Sequence, residues 1–311
     1  MITKTIRPFR ISTDLTGMAD LLSLCFSDSM DKESTQYIEY LYYFGQSVWS
    51  TRLAERNPEK YYLPAEGFVY EDGGNLVGNI TLSPIKYQGE TIFQISNVAV
   101  HPDYRGRGIA KLLTKTALEY IDKKGIKEVW LQVKKGNLAA INLYDSFGFQ
   151  TFMRRTTWLR KRSDIFLKPP EPIILRKRKK EECTVQQQLL NRIYPTQLTA
   201  AYGFEGASQK SLIKSVVLNV MQNRICYHWA AEYEGQLGFA SYYLSPEQFY
   251  VNLWIAVPEV NEENFIRALI PAIQLKIEKD IHIDFPEDKR YDSLSEIGMR
   301  EMHTLIWKRK I

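Results

Sequence analysis

The spacing of apolar positions divides the chain into strand-like and helix-like stretches. A first strand is predicted over "TKTIRPFRIS". A helix follows over "TDLTGMADLLSLCF", where Met18, Leu21, Leu22, Leu24 and Cys25 recur at helical spacing behind a Thr13 or Asp14 cap. "ESTQYIEYLYYFGQ" predicts a second helix ending near Gly45. The stretch 67–100, "GFVYEDGGNLVGNITLSPIKYQGETIFQISNVAV", reads as three strands parted by the turns "EDGGN" and "YQGE". A helix from about Arg107 to Lys124 carries Ile109, Leu112, Leu113, Ala117, Tyr120 and Ile121 on one face and stops at Gly125. "IKEVWLQV" then predicts a strand, "NLAAINLYDSFG" a short helix capped by Asn137, and "FQTFMRRTTWLRK" a further strand.

Three prolines in "SDIFLKPPEP" interrupt the pattern, and beyond them it starts again. "HWAAEYEGQLGFASYYLSP" (228–246) lies on "GFVYEDGGNLVGNITLSP" (67–84) with Gly238 under Gly78. "LWIAVPEV" parallels "NVAVHPDY", and "SEIGMREMHTLIWKRK" parallels "DSFGFQTFMRRTTWLRK". The offset holds at one domain length from end to end, the mark of a diverged tandem repeat. The expected organisation is a first domain over 1–162, a linker over 163–172 and a second, related domain over 173–311. Each mixes helices with strands, so the fold class is α/β of the α+β kind.

Composition adds limits. At 311 residues the chain is long enough for two cores, and 44% hydrophobic with 25% charged residues excludes a disordered or fibrous protein. A net charge of +5 favours an anionic ligand without the basic footprint of a nucleic-acid binder. The run "LRKRKK" (175–180) reads as a solvated strand edge, against the alternative of a basic address or nucleic-acid patch. Cys25, Cys183 and Cys226 are far apart and only four His occur, so no metal is expected. The first residues lack the apolar core of a signal peptide, and no window is long and apolar enough to span a membrane. The expectation is a cytoplasmic protein with no membrane or nucleic-acid partner.

The chemistry concentrates in "NVAVHPDYRGRGIAKLL" (97–113), a strand that turns through glycines and arginines into a helix. Such a junction presents backbone N–H groups and the positive end of a helix dipole to an anion. Gly106 and Gly108 carry no Cβ to hold a diphosphate away, and Arg105, Arg107 and Lys111 add charged donors. The alternative is a surface turn with solvated arginines. Neither a P-loop nor the Rossmann glycine pattern is matched.

"RGRGIA" (Arg105 to Ala110) nonetheless resembles the R/Q-x-x-G-x-G/A signature of the GNAT superfamily of acetyl-CoA-dependent N-acetyltransferases. "VKKGNLAAINLYDSFGF" (Val133 to Phe149) resembles that family's second motif, V-x-x-x-N-x-x-A-x-x-L-Y-x-x-x-G-F. The resemblance implies two tandem GNAT-like folds, each a mixed, mostly antiparallel sheet flanked by helices, with acetyl-CoA as co-substrate. It implies that the strand Gln94 to Val100 bulges and splays from its neighbour. The backbone around Val98, Ala99 and Val100 then holds the pantetheine arm and the acetyl carbonyl, where an N–H stabilises the oxyanion. The diphosphate lies on Arg105, Gly106, Arg107, Gly108, Ile109, Ala110 and Lys111. Asn137 touches the pantetheine or caps the helix after it, and Tyr144 protonates the departing thiolate; the alternative for Tyr144 is a half-buried packing residue.

The base is less defined by the resemblance. Gln94 stands where several members carry a Glu, and a glutamine cannot take a proton; Ser96 and Asn97 are placed to order a water instead. His101, just before Pro102, reads as a turn residue. In the second copy "VPEVNEENFI" replaces "HPDYRGRGIA", setting Glu259, Glu262 and Glu263 where a diphosphate would sit, and Leu294 takes the place of Tyr144. That copy is expected to be degenerate, lacking the acetyl-CoA motif, with Tyr291 structural. The acceptor, a small-molecule or peptide amine, is expected to meet Asp28, Asp31, Glu33 and Glu39 with Tyr40, Tyr42, Tyr43, Phe44 and Trp49, which otherwise form core stripe and solvated face. The chain is expected to be a monomer with an internal pseudo-dimer, or a homodimer. The competing function is an acetyl-CoA-binding sensor or regulatory protein without turnover.

Overall fold

The computed structural model describes residues 4–27, 32–61, 63–64, 66–164, 172–201, 225–245, 250–287 and 292–311, and at 32, 33, 59 and 60 the backbone alone. The chain forms two compact units, Met1–Phe152 with Trp307–Ile311, and Met153–Ile306. Both cuts fall inside strands. The repeat in the sequence instead puts its linker at 163–172, of which 165–171 lie outside the described residues.

The first unit contains β1 (Lys4–Pro8), α1 (Ile11–Phe26), α2 (Lys32–Gly45), α3 (Val48–Arg56), β2 (Glu66–Asp72), β3 (Asn75–Tyr87), β4 (Glu90–Val100), α4 (Ile109–Lys123), β5 (Val129–Lys134) and α5 (Leu138–Ser146). Its strands lie in the order β1-β2-β3-β4-β5, antiparallel as far as β4 and parallel between β4 and β5. The apolar stripe of α1, with Leu15, Met18 and Leu22, closes a core with Leu41, Ala54, Val69 and Ala99. That helix starts at Ile11, a turn before the cap read from the sequence. Asp14 is buried instead, where it accepts from the Arg10 N–H (2.8 Å) and both Arg7 Nη atoms (2.7 and 2.9 Å). The sequence pattern missed α3, which buries only Thr51 and Ala54 behind a Ser47 cap.

The second unit takes most of β6 (Gln150–Arg160), then β7 (Ile174–Lys177), α6 (Cys183–Ile193), α7 (Thr196–Ala201), β8 (Ile225–Tyr233), β9 (Gln236–Leu244), β10 (Tyr250–Asn252), β11 (Trp254–Ala256), α8 (Glu262–Gln274), β12 (Asp280–Pro286), α9 (Asp292–Glu296) and the start of β13 (Arg300–Lys310). Strands β7, β8, β9 and β11 form one antiparallel sheet, while β12 pairs antiparallel with β6 and parallel with β10.

The matched glycines do the same work in each unit. A Cβ on Gly78 would come within 3.0 Å of Ile109, and one on Gly238 within 2.7 Å of Phe265, the residue aligned with Ile109. Gly148 and Gly298 share a φ of 81° and close the same turn, Phe149 N–H to Tyr144 O (3.1 Å) and Met299 N–H to Leu294 O (2.9 Å).

Candidate active site

The site begins with one extra residue. Thr81 pairs with Ser96 and Asn79 with Ala99, so Ile80 alone on β3 faces both Asn97 and Val98 on β4. This bulge sets Asn97 at φ 51°, a left-handed conformation that asparagine tolerates better than most residues. Asn97 O accepts from Asn79 Nδ2 (2.9 Å). Its own Nδ2 reaches Tyr37 Oη (3.4 Å) and Thr81 Oγ1 (3.5 Å), tying the bulge to β3 and α2.

A bulge bends its strand and increases its twist. Strand β4 pairs with β5 only from Phe93↔Val129 to Ile95↔Leu131, although β4 runs on to Val100 and β5 to Lys134. A gap therefore opens between them. The bulge also shifts which backbone groups face it. Before the bulge, Phe93 N–H donates to Glu128 O on the β5 side; after it, His101 N–H donates to Val77 O on the β3 side. By strand alternation Val98 and Val100 then turn their backbone groups to the gap, while the Ala99 side chain is buried in the α1 core. The Val100 carbonyl already accepts from Cys25 Sγ (3.2 Å) and Arg105 Nε (3.2 Å).

Beyond β4, Gly106 and Gly108 adopt φ of 75° and 77°, with open space where either Cβ would stand. Gly108 is the N-cap of α4, whose first N–H groups, at Ile109, Ala110 and Lys111, have no acceptor within the helix. Positive φ lets the chain turn its amides outward here, so both glycines are needed for backbone shape as well as for clearance. Arg107 donates to Asp103 O (2.8 Å) and stacks 4.8 Å over the Tyr104 ring. His101 accepts from Asp103 N–H as the cap of a short turn.

Across the gap, Asn137 caps α5 by accepting from Ala140 N–H (3.1 Å). Tyr144 on α5 is buried, its ring edge-on to Phe149 at 5.9 Å, and its hydroxyl bonds to no described residue. Burial alone pushes its ionisation up to about 12, so the hydroxyl stays neutral over the whole physiological range.

Beside the bulge lies a cleft of about 470 Å³, lined among others by Tyr37, Pro64, Thr81, Ser83, Lys86, Ser96 and Asn97. No carboxylate or histidine is among its described lining residues. Gln94 is half-buried on β4 opposite Ser83 and Trp130 and does not line this cleft. Tyr37, Asn79 and Thr81 were not singled out from the sequence. The available signals were a polar Asn79 inside the apolar run "LVGNITL" and Tyr37 on the buried stripe of α2 with Leu41. Burial pushes the Tyr37 hydroxyl up, against a smaller opposing effect of the Asn97 hydrogen bond. Of the residues expected to meet the acceptor, Asp28, Asp31 and the Glu33 side chain lie outside the described residues. Glu39 is exposed, Tyr43 and Trp49 face solvent, and Tyr40 bonds to Tyr61 O (2.6 Å).

The second unit is built differently at the matching junction. The helix α8 starts at Glu262, so the residues aligned with Gly106, Arg107 and Gly108 are its first turn. Arg192 of α6 holds Glu262 (2.9 Å) and the Val257 carbonyl (2.8 Å), and buried Leu294 offers no hydroxyl. Among the described residues no cluster of three or more metal-ligating side chains occurs, and no helix is long and apolar enough to cross a membrane.

The description "Acetyltransferase (GNAT) family" matches residues 18–149. A mycothiol acetyltransferase of Rhodococcus opacus is 34% identical over 113 residues, 34% of this chain and 37% of that protein. The [ribosomal protein bS18]-alanine N-acetyltransferase of Escherichia coli is 31% identical over 101 residues, 32% of this chain and 64% of that protein. Less than two thirds of each relative is therefore spanned. Among solved structures, a tandem GNAT protein from the clavulanic acid biosynthesis pathway superposes with a TM-score of 0.58 at 15% identity, over 99% of this chain and 98% of that one. This last likeness concerns fold alone.

Proposed function

We propose, from the premise that this chain belongs to the acetyltransferase (GNAT) family, that its first unit moves an acetyl group from acetyl-CoA to a primary amine by direct attack in a ternary complex. The observation that carries this is the bulged, splayed β4 running straight into the glycine turn and the open N-terminus of α4. The diphosphate of acetyl-CoA rests on the amides from Gly106 to Lys111, with Arg105 and Arg107 turning from their internal carbonyl partners toward it. Backbone groups of Val98 and Val100 line the pantetheine arm. A backbone N–H there stabilises charge building on the acetyl oxygen, usually a large contribution in acyl transfer.

The amine enters through the cleft beside Ser96 and Asn97 and attacks the thioester carbonyl as the C–S bond breaks. Tyr144 supplies a proton to the leaving sulfur, which its neutral hydroxyl, bonded to no described residue, suits. With no carboxylate or histidine among the described lining residues, the amine loses its proton through water ordered by Ser96, Asn97 and Tyr37. Gln94 has no direct part in this reading. The second copy, with a carboxylate and a helical turn in place of the cradle, does not bind acetyl-CoA in the same manner. The relatives' names favour a small-molecule or peptide amine as acceptor.

The same lack of a carboxylate or histidine favours a second reading, an acetyl-CoA sensor without turnover. Release of free thiol from acetyl-CoA with a panel of amines separates the two. Amine-dependent release is expected; tight acetyl-CoA binding with no release on any amine would leave the sensor standing.

A further inference from the structure

The cleft beside the bulge has a second end. Strand β2 begins at Glu66, opposite Leu82, so among the described residues β3 from Ser83 to Tyr87 has a partner strand only in β4. The hairpin of β3 and β4 thus runs past its neighbour, and the cleft is lined from Thr81 and Asn97 as far as Lys86 and Thr91.

Each end keeps a donor for a ligand. Thr81 is buried, and its Oγ1 lies within reach of two amide nitrogens, Asn79 Nδ2 (3.3 Å) and Asn97 Nδ2 (3.5 Å). An amide nitrogen donates only, so the Thr81 hydroxyl hydrogen has no acceptor among the described residues. At the other end Lys86 Nζ donates to its cross-strand partner Thr91 Oγ1 (2.6 Å) and makes no ion pair among the described residues. One hydroxyl takes one of the three ammonium donors. Two carboxylates stand close in the sheet without lining the cleft. Glu66 is held by Lys124 Nζ (2.8 Å) and Tyr120 Oη (2.9 Å), and Glu90 is exposed at the hairpin end opposite Tyr87.

Charge and spacing then sort the acceptors. A second ammonium beside Lys86 meets like charge with no described carboxylate to offset it, whereas a carboxylate there gains a charge-assisted bond. Thr81 and Lys86 are five residues apart on β3, roughly 17 Å along an extended strand, less the reach of the lysine side chain. A free α-amino acid, its amine and carboxylate joined through one carbon, cannot meet both ends. An extended chain of about three or four residues can. We propose that the acceptor is an extended amine bearing a carboxylate remote from its reacting nitrogen, and that Lys86 selects it. This rests on the acetyl-transfer reading, which puts the reacting amine beside Ser96 and Asn97.

The test uses the full chain with alanine and alanine peptides up to the tetrapeptide, each as the free acid and as the C-terminal amide. Thiol release from acetyl-CoA gives KM and kcat, and calorimetry on the chain saturated with CoA gives Kd without turnover. The free acids of the tripeptide and tetrapeptide are expected to show KM and Kd about fivefold below those of their amides, and alanine no such preference. Lys86→Gln is expected to abolish the preference and Lys86→Glu to reverse it, with the Kd of CoA unchanged because Lys86 is exposed and distant in the chain from the glycine turn. Equal binding of acid and amide, a preference that survives Lys86→Gln, or no binding of any peptide overturns the proposal; acetyl transfer still stands wherever release is seen. No release on any amine sinks the transfer reading, while the calorimetric pairs still decide whether the cleft selects a remote carboxylate.

Discussion

Tyr144 shows how one atom separates packing from chemistry. Its ring is buried against Phe149, so Tyr144→Phe keeps the packing and deletes only the hydroxyl, which bonds to no described residue. Thermal stability should change little, the KM for acetyl-CoA should hold, and kcat should fall by about 10²-fold or more. A fall in Tm with unchanged kcat would make the residue structural. The folded pKa of about 12 exceeds the ordinary 10, so burial favours the neutral form. That preference is complete below pH 10 and is lost as pH rises toward 12, and no alkaline loss of rate from Tyr144 is expected below pH 10. At this scale the sequence was informative where chemistry leaves few choices. Gly106, Gly108, Asn137 and Tyr144 stand in motif spacing, and φ near 75° explains the two glycines. Tyr37 and Asn79 were hidden, because what ties them to the bulge is contact with Asn97, 60 and 18 residues away in the chain respectively.

Among elements, β4 is the one whose irregularity matters. Asn97→Ala should destabilise the chain by about 1–2 kcal/mol in urea unfolding, from the left-handed backbone and the lost side-chain bonds. Asn97→Gly should recover most of the backbone part without recovering kcat, because glycine accepts φ 51° but cannot reach Tyr37 or Thr81. Equal stability of the two variants would contradict the strain argument. The strands and long helices were legible from alternation and helical spacing. The bulge was not read from periodicity but from a family resemblance, since one extra residue leaves the apolar count of "FQISNVAV" nearly unaltered. The helix α3 escaped because most of its surface is solvent-facing, so no apolar stripe marks it.

For the whole molecule, the first unit depends on residues from the far end of the chain. Trp307 is fully buried, Lys308 pairs with Asp145 beside Tyr144, and Arg309 lies 3.7 Å from Glu128. A chain ending at Ile306 should therefore lose stability and acetyl-CoA affinity although every motif residue is intact; unchanged thermal unfolding and affinity would contradict this. Pattern alone does not reveal that dependence, because the apolar spacing of β13 is the same whichever strand it joins. The repeat, by contrast, was legible through glycines whose reasons are steric, Gly78 against Ile109 and Gly238 against Phe265.

In the proposed function one copy, through its glycine turn, holds acetyl-CoA and the other does not. Titration calorimetry of the full chain with acetyl-CoA tests it most directly, repeated with Gly106→Glu, which places in the first copy the residue that the second has at Glu262. One acetyl-CoA per chain is expected, and its loss in the variant. Two per chain, none, or full binding by Gly106→Glu would contradict it.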